Sequence, residues 1–101
     1  MKEYFIASAV IHGVQGGAVV LTDDAFWFLC DKITIDDEYK RLKIPYGHIA
    51  SVSYKRVAWI FPVAKLTLKN GRIHKFVIFS IKRFLRCMDK MLREERHHGS
   101  D

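Results

Sequence analysis

The sequence predicts a mainly β domain of the α+β class, with about seven short antiparallel strands followed by one C-terminal helix. Three observations carry that expectation. Apolar and polar residues alternate through short runs divided by turn signals. After Ser80 the period changes, and Ile81, Phe84, Leu85, Met88, Met91 and Leu92 recur at the spacing of an amphipathic helix. The 101 residues, 50% apolar and 28% charged, suit a single globular core rather than a disordered chain. Residues 1–96 are expected to form that one domain, with 97–101 as a polar tail.

Residues 4–12 read as the first strand, with Phe5, Ala7, Ala9 and Ile11 on one face. "KEYFIASAVIH" has the apolar look of a signal peptide, but Glu3 stands where a cationic leader belongs and no A-x-A site follows. "GVQGG" (13–17) reads as a glycine-rich turn. "AVVLT", the turn "DD" and "AFWFLC" then form a hairpin, and "DKITIDDE" is an acidic connection. "YKRLKIP" is a strand halted by Pro45 and Gly47, and "HIASVSYKR" is the next. In "AKLTLKNGRIHKFVIF", Asn70-Gly71 predicts a two-residue type I′ turn pairing Lys69 with Arg72 and Leu68 with Ile73. That register puts Lys75 on the side of Leu66, so Lys75 must snorkel or the register must differ. Ser80 is the expected N-cap of the helix, whose outer face carries Lys82, Arg83, Arg86, Asp89, Lys90 and Arg93.

The charge is uneven. Residues 40–93 hold fourteen of the seventeen Lys and Arg against Asp89 alone, which points to an anionic partner. No catalytic or metal constellation accompanies it. The five His lack ligand spacing on any one element, and Asp23-Asp24 and Asp36-Asp37-Glu38 read as turn carboxylates. No phosphate-cradling glycine motif occurs, and the lone Cys30 and Cys87 read as reduced, packed thiols of a cytoplasmic protein. Neither enzyme activity nor a cofactor is expected. The longest apolar run, residues 57–64, is broken by Pro62 and is far short of a membrane span, which needs about 20 residues.

Three segments carry a family resemblance: "GAVVLTDDAFWF" (17–28), "LKIPYGHIASVS" (42–53) and the hairpin-plus-helix order that begins "LTLKNGRIHKFVIF". In this order they resemble the pleckstrin-homology-like (PH-like) superfold, and within it the GRAM and bacterial PH-like families. The resemblance implies a bent antiparallel barrel of about seven strands, capped at one end by the C-terminal helix. It also implies a non-catalytic module that binds membrane lipids or protein partners. PH domains that grip phosphoinositides generally place Lys and Arg on the first strand and the loop after it. Here "ASAVIHGVQGGAVV" offers only His12, so no stereospecific headgroup pocket is expected there.

The stretch "YKRVAWIFPVAKL" (54–66) joins cations to the longest apolar run. Three readings fit it. Val57, Trp59 and Phe61 alternate and can point into the core. They can instead anchor a membrane interface beside Lys55 and Arg56, or bury against a partner protein or a second copy of the chain. The functional expectation is a peripheral membrane adaptor on a cytoplasmic, anionic face. Its candidate contacts are Lys55, Arg56, Lys65, Lys69 and Arg72, and its candidate apolar anchors are Trp59 and Phe61. A protein-interaction or homo-oligomerisation module is the alternative. Nucleic acid is the disfavoured partner, because no RNP motif, helix-turn-helix or zinc finger accompanies the charge.

Overall fold

A computed structural model describes residues 2–10, 14–30, 40–57 and 60–99. Seven strands form one antiparallel sheet: β1 (Glu3–Val10), β2 (Val14–Leu21), β3 (Ala25–Leu29), β4 (Arg41–Pro45), β5 (Ile49–Val57), β6 (Phe61–Leu68) and β7 (Ile73–Ile78). A 3-10 turn, Tyr46–His48, separates β4 from β5, and helix α1 (Ile81–Gly99) follows β7. The strand order is β4-β3-β2-β1-β7-β6-β5, so the first strand lies at the centre and the sheet is open at β4 and β5.

Alternation decides what each strand buries. Phe5, Ala7 and Ala9 of β1, Val19 and Leu21 of β2, and Phe26 and Phe28 of β3 all point to the inner face and are buried. Ala64, Leu66, Phe76 and Ile78 continue that face across β6 and β7. The apolar stripe of α1 closes it. Ile81, Phe84, Met88 and Met91 are buried, and the Phe84 ring meets Phe5 edge-on at 5.4 Å and Phe26 at 6.2 Å. Arg83 adds a polar clamp, donating to Glu3 Oε2 at 2.8 Å and to the Tyr4 carbonyl at 2.7 Å while stacking 4.1 Å over Phe5. The Tyr46 hydroxyl donates to the Thr22 carbonyl at 2.6 Å and so fixes the 3-10 turn against the β2–β3 turn.

The structure corrects two sequence-based readings. The turn reading of "GVQGG" does not hold for residues 14–17. Val14 to Gly17 belong to β2 and pair with β1 through Ala7↔Gly17 and Val10↔Val14. A side chain on Gly17 would meet the Leu29 carbonyl oxygen at 2.4 Å, so this glycine answers to close strand approach rather than to backbone freedom.

The β6–β7 hairpin is the second correction. Thr67 pairs with Ile73, Leu66 with His74 and Lys65 with Lys75, one residue away from the expected register. Gly71 N–H donates to the Leu68 carbonyl at 3.0 Å and Leu68 N–H to the Arg72 carbonyl at 2.8 Å, closing a three-residue loop with Gly71 at φ +92°. The slip moves Lys75 outward and places His74 in the core beside Leu66, which resolves the conflict that the two-residue turn created.

Helix α1 continues to Gly99, through the first residues of the expected polar tail. The described part of the first strand is Glu3–Val10. Residues 11–13, the acidic connection 31–38 and the final residues 100–101 fall outside the described residues. Cys30 and Cys87 are both free thiols, and Cys30 Sγ donates to the Gly16 carbonyl at 3.2 Å.

Candidate functional site

The outer face of the sheet, opposite α1, is the unusual surface. Strands covered on one side only normally alternate apolar with polar residues. Here β1 and β7 are apolar on both sides: Tyr4, Ile6 and Val10 oppose the buried set of β1, Ile73 and the buried Val77 of β7 oppose Phe76 and Ile78, and the exposed Phe79 follows directly after β7. Register then lines these residues up. Leu29 pairs with Ala18 and Ala18 with Ile6. The Ala7↔Ile78 pairing brings the end of β7 to β1, next to Ile6 in sequence on one strand and Phe79 on the other. The Phe79 and Phe61 rings meet at 6.4 Å, and Phe61 pairs with Val57.

The result is one apolar row crossing β3, β2, β1, β7, β6 and β5. It stays open to solvent, with Ile6 86% exposed, Phe79 62%, Val57 48% and Phe61 44%. Ile60, in the connection before β6, is exposed as well. A single exposed leucine needs no explanation, but an apolar row of this length marks a contact surface.

Cations bracket the row. Lys65 and Lys75 pair directly across β6 and β7, opposite Ser53 of β5. Lys55 pairs with Val63, so Phe61 and Lys65 are its diagonal neighbours on the same face. At the β4 end, Arg41 and Lys43 each stand 5.3 Å from the Trp27 ring, and Arg41 pairs with Leu29.

The sequence-predicted residues separate into two groups. Lys55, Lys65 and Phe61 share the outer face at the Val57 end of the β5–β6 hairpin. Arg56 alternates to the other side, where its Nε donates to the Tyr54 hydroxyl at 3.2 Å. Lys69 and Arg72 flank the hairpin loop at the far end of β6, eight or more residues from Phe61, which is about 25 Å of strand. Trp59 falls outside the described residues. The core reading of this stretch does not hold for Val57 and Phe61, which are exposed.

Sequence reasoning missed Lys75, Ile6, Phe79 and Leu29. The signal was present in β1 and β7, whose apolar residues occupy both faces, as in a sheet that is covered twice.

Asp23 and Asp24 are turn residues. Thr22 Oγ1 donates to Asp24 Oδ1 at 2.8 Å, and that hydrogen bond is the main reason the Asp24 carboxyl lies below its ordinary range. Among the described residues no three His, Cys, Asp or Glu come together as a metal site, and no helix is long and apolar enough to cross a membrane.

No protein-family model matches the chain, and no curated protein does. Among solved structures it is similar to the C-terminal domain of an unknown protein from Leishmania infantum. That match has a TM-score of 0.72 at 12% identity and covers 89% of this chain and 82% of the other. At that identity the likeness shows the fold alone.

Proposed function

We propose that this chain is a non-catalytic, PH-like docking module that lies with its outer sheet face on an anionic membrane, such as a cytoplasmic leaflet. One observation carries the reading: an exposed apolar row, with Phe61 and Phe79 in ring contact, runs beside Lys55, Lys65 and Lys75. The antiparallel strand order with a C-terminal helix on the inner face is compatible with the PH-like superfold and its GRAM and bacterial PH-like members.

Each lysine near an anionic leaflet contributes roughly 1 kcal/mol, so the three together supply about 3 kcal/mol of salt-sensitive attraction. Phe79 and Ile6, more than half exposed, each add roughly 1–2 kcal/mol on entering the headgroup region. Binding then follows total anionic charge rather than headgroup stereochemistry, because β1 and the described part of β2 carry no Lys or Arg beyond Lys2 at the edge of β1.

Sedimentation with phosphatidylserine–phosphatidylcholine vesicles tests this. Lys65→Glu/Lys75→Glu weakens binding at low salt and flattens its salt dependence, whereas Phe79→Ser/Ile6→Ser weakens it at every salt concentration. Two folded variants that sediment with vesicles as the parent does would sink the reading. A parent that ignores vesicles but self-associates, and becomes monomeric in Phe79→Ser/Ile6→Ser, assigns the row to a subunit interface instead.

A further inference from the structure

The outward side of α1 is a second basic surface, away from the outer sheet face. At about 100° per residue, Arg86 lies opposite the buried stripe of Ile81, Phe84, Met88 and Met91. Lys82, Lys90 and Arg93 fall within about 40° of Arg86, and all four are exposed. They form one ridge along the helix.

An exposed helix side is stabilised where opposite charges sit four residues apart, and weakened where like charges do. Lys82, Arg86 and Lys90 repeat at that spacing and repel one another. Arg93 pairs with Asp89 at 3.0 Å, whereas Lys82, Arg86 and Lys90 make no ion pair with any described residue. Lys82 has a further cost. The first turn of α1 contains no acid, so Lys82 faces the positive end of the helix dipole. Its neighbour Arg83 is compensated by Glu3 at 2.8 Å, and Lys82 is not.

An external anion relieves all three cations. The ridge is convex and contains no apolar or aromatic residue. A protein partner calls for apolar anchors, and single-stranded nucleic acid for rings on which bases stack. A broad plane of negative charge calls for neither.

Distance keeps the ridge separate from the outer face. Because α1 packs on the inner face of the sheet, its ridge and the outer apolar row point away from each other. The shortest dimension of the fold is 27 Å, about three Debye lengths at physiological ionic strength. A bilayer held by Lys55, Lys65 and Lys75 is therefore screened from the ridge.

We infer that the ridge takes a second anionic bilayer, so that the domain bridges two membranes. This rests on the docking function proposed for the outer face, which supplies the first attachment. A few cations hold a bilayer weakly, but domains arrayed on one membrane present many ridges at once, and the second contact is multivalent.

A two-step capture assay tests the bridge. The full chain is bound to a supported phosphatidylserine–phosphatidylcholine bilayer, rinsed, and offered fluorescent vesicles of the same composition. The parent captures them, capture falls with added salt, and vesicles of phosphatidylcholine alone stay in solution. Lys82→Gln/Arg86→Gln/Lys90→Gln keeps its circular dichroism spectrum and its first-step binding but captures at least about tenfold fewer vesicles. Lys65→Glu/Lys75→Glu weakens the first step instead. A parent that fails the first step overturns the docking function and the bridge with it. A parent that binds the bilayer yet captures no vesicles overturns the bridge alone, as does capture of a duplex oligonucleotide in their place. Undiminished capture by the helix variant also overturns it, since bridging then passes through paired copies of the chain. So does loss of first-step binding in that variant, which makes the ridge the docking face.

Discussion

Two adjacent glycines of β2 separate close packing from chain flexibility. An alanine at Gly17 would place its Cβ 2.4 Å from the Leu29 carbonyl oxygen and 2.9 Å from the Phe28 ring. Phe28 is fully buried, and the oxygen belongs to the backbone of the paired strand β3, so neither partner can swing aside cheaply. Forcing extra volume into such a site costs about 1–3 kcal/mol, against a gain of about 0.4–1 kcal/mol from the stiffer unfolded chain. With a backbone atom as the obstacle, the net loss for Gly17→Ala is roughly 2 kcal/mol, or about 8 °C in Tm for a domain of this size.

Gly16→Ala meets nothing nearer than Ser8 Oγ at 4.0 Å and keeps only the gain, a rise of a few degrees, roughly 2–4 °C. Urea unfolding followed by tryptophan fluorescence reads both variants, with an unchanged m-value as the check on cooperativity. Equal shifts for the two, in either direction, would show that β2 and β3 do not approach as described. A loss at both positions would restore the turn reading of "GVQGG".

Other substitutions probe the remaining parts of the fold. Phe84→Ala removes a fully buried ring that bridges Phe5 and Phe26 and should cost about 3–5 kcal/mol by chemical denaturation, whereas half-buried Leu85→Ala should cost about half as much. Gly71→Ala strains a residue at φ +92° with open space around it, so its loss of about 1–2 kcal/mol should arise from the backbone alone, and Gly71→Asn should lose less. Burial, reinforced by the Asp24 and Asp23 charges, pushes the Tyr46 phenol well above its ordinary value of 10.0. Its neutral form is therefore favoured in the fold. That contribution is complete below pH 10 and is lost as the pH rises toward the folded-state value, so the Tm should fall above about pH 10 and Tyr46→Phe should lessen the fall. At neutral pH the same variant should cost about 1–2 kcal/mol for the lost hydrogen bond to the Thr22 carbonyl.

The strands and the helix were legible because their periods are clean. Phe5, Ala7 and Ala9 are buried as alternation requires, and Ile81, Phe84, Met88 and Met91 as helical spacing requires. The hairpin register was not. Asn-Gly serves a two-residue loop and also a three-residue loop with glycine in the left-handed position, and the turn dipeptide alone does not choose between them. Lys75 carried the missing information, because only the slipped register frees its ammonium and buries His74 instead. For the candidate surface, the Lys55, Lys65 and Phe61 cluster follows from adjacency within one hairpin. Ile6 and Leu29 join that row through strand pairings, and Phe79 through its ring contact with Phe61, none of which local pattern reports. Lys69 and Arg72 were drawn in by composition, and strand length then carries them to the opposite end.

The central position of β1 bears on how the chain reaches this state. Its neighbours are β2, synthesised next, and β7, synthesised last of the seven strands, while the Arg83 clamp joins residues 80 positions apart. Until β7 emerges, β1 exposes one bare edge and apolar side chains on both faces, the combination most prone to pair with another chain. Contacts of such long sequence separation also make closure slow relative to helical domains of equal size. The interval of synthesis between β1 and β7 is therefore one of exposure to aggregation, and slower translation across residues 31–72 should lower the soluble yield.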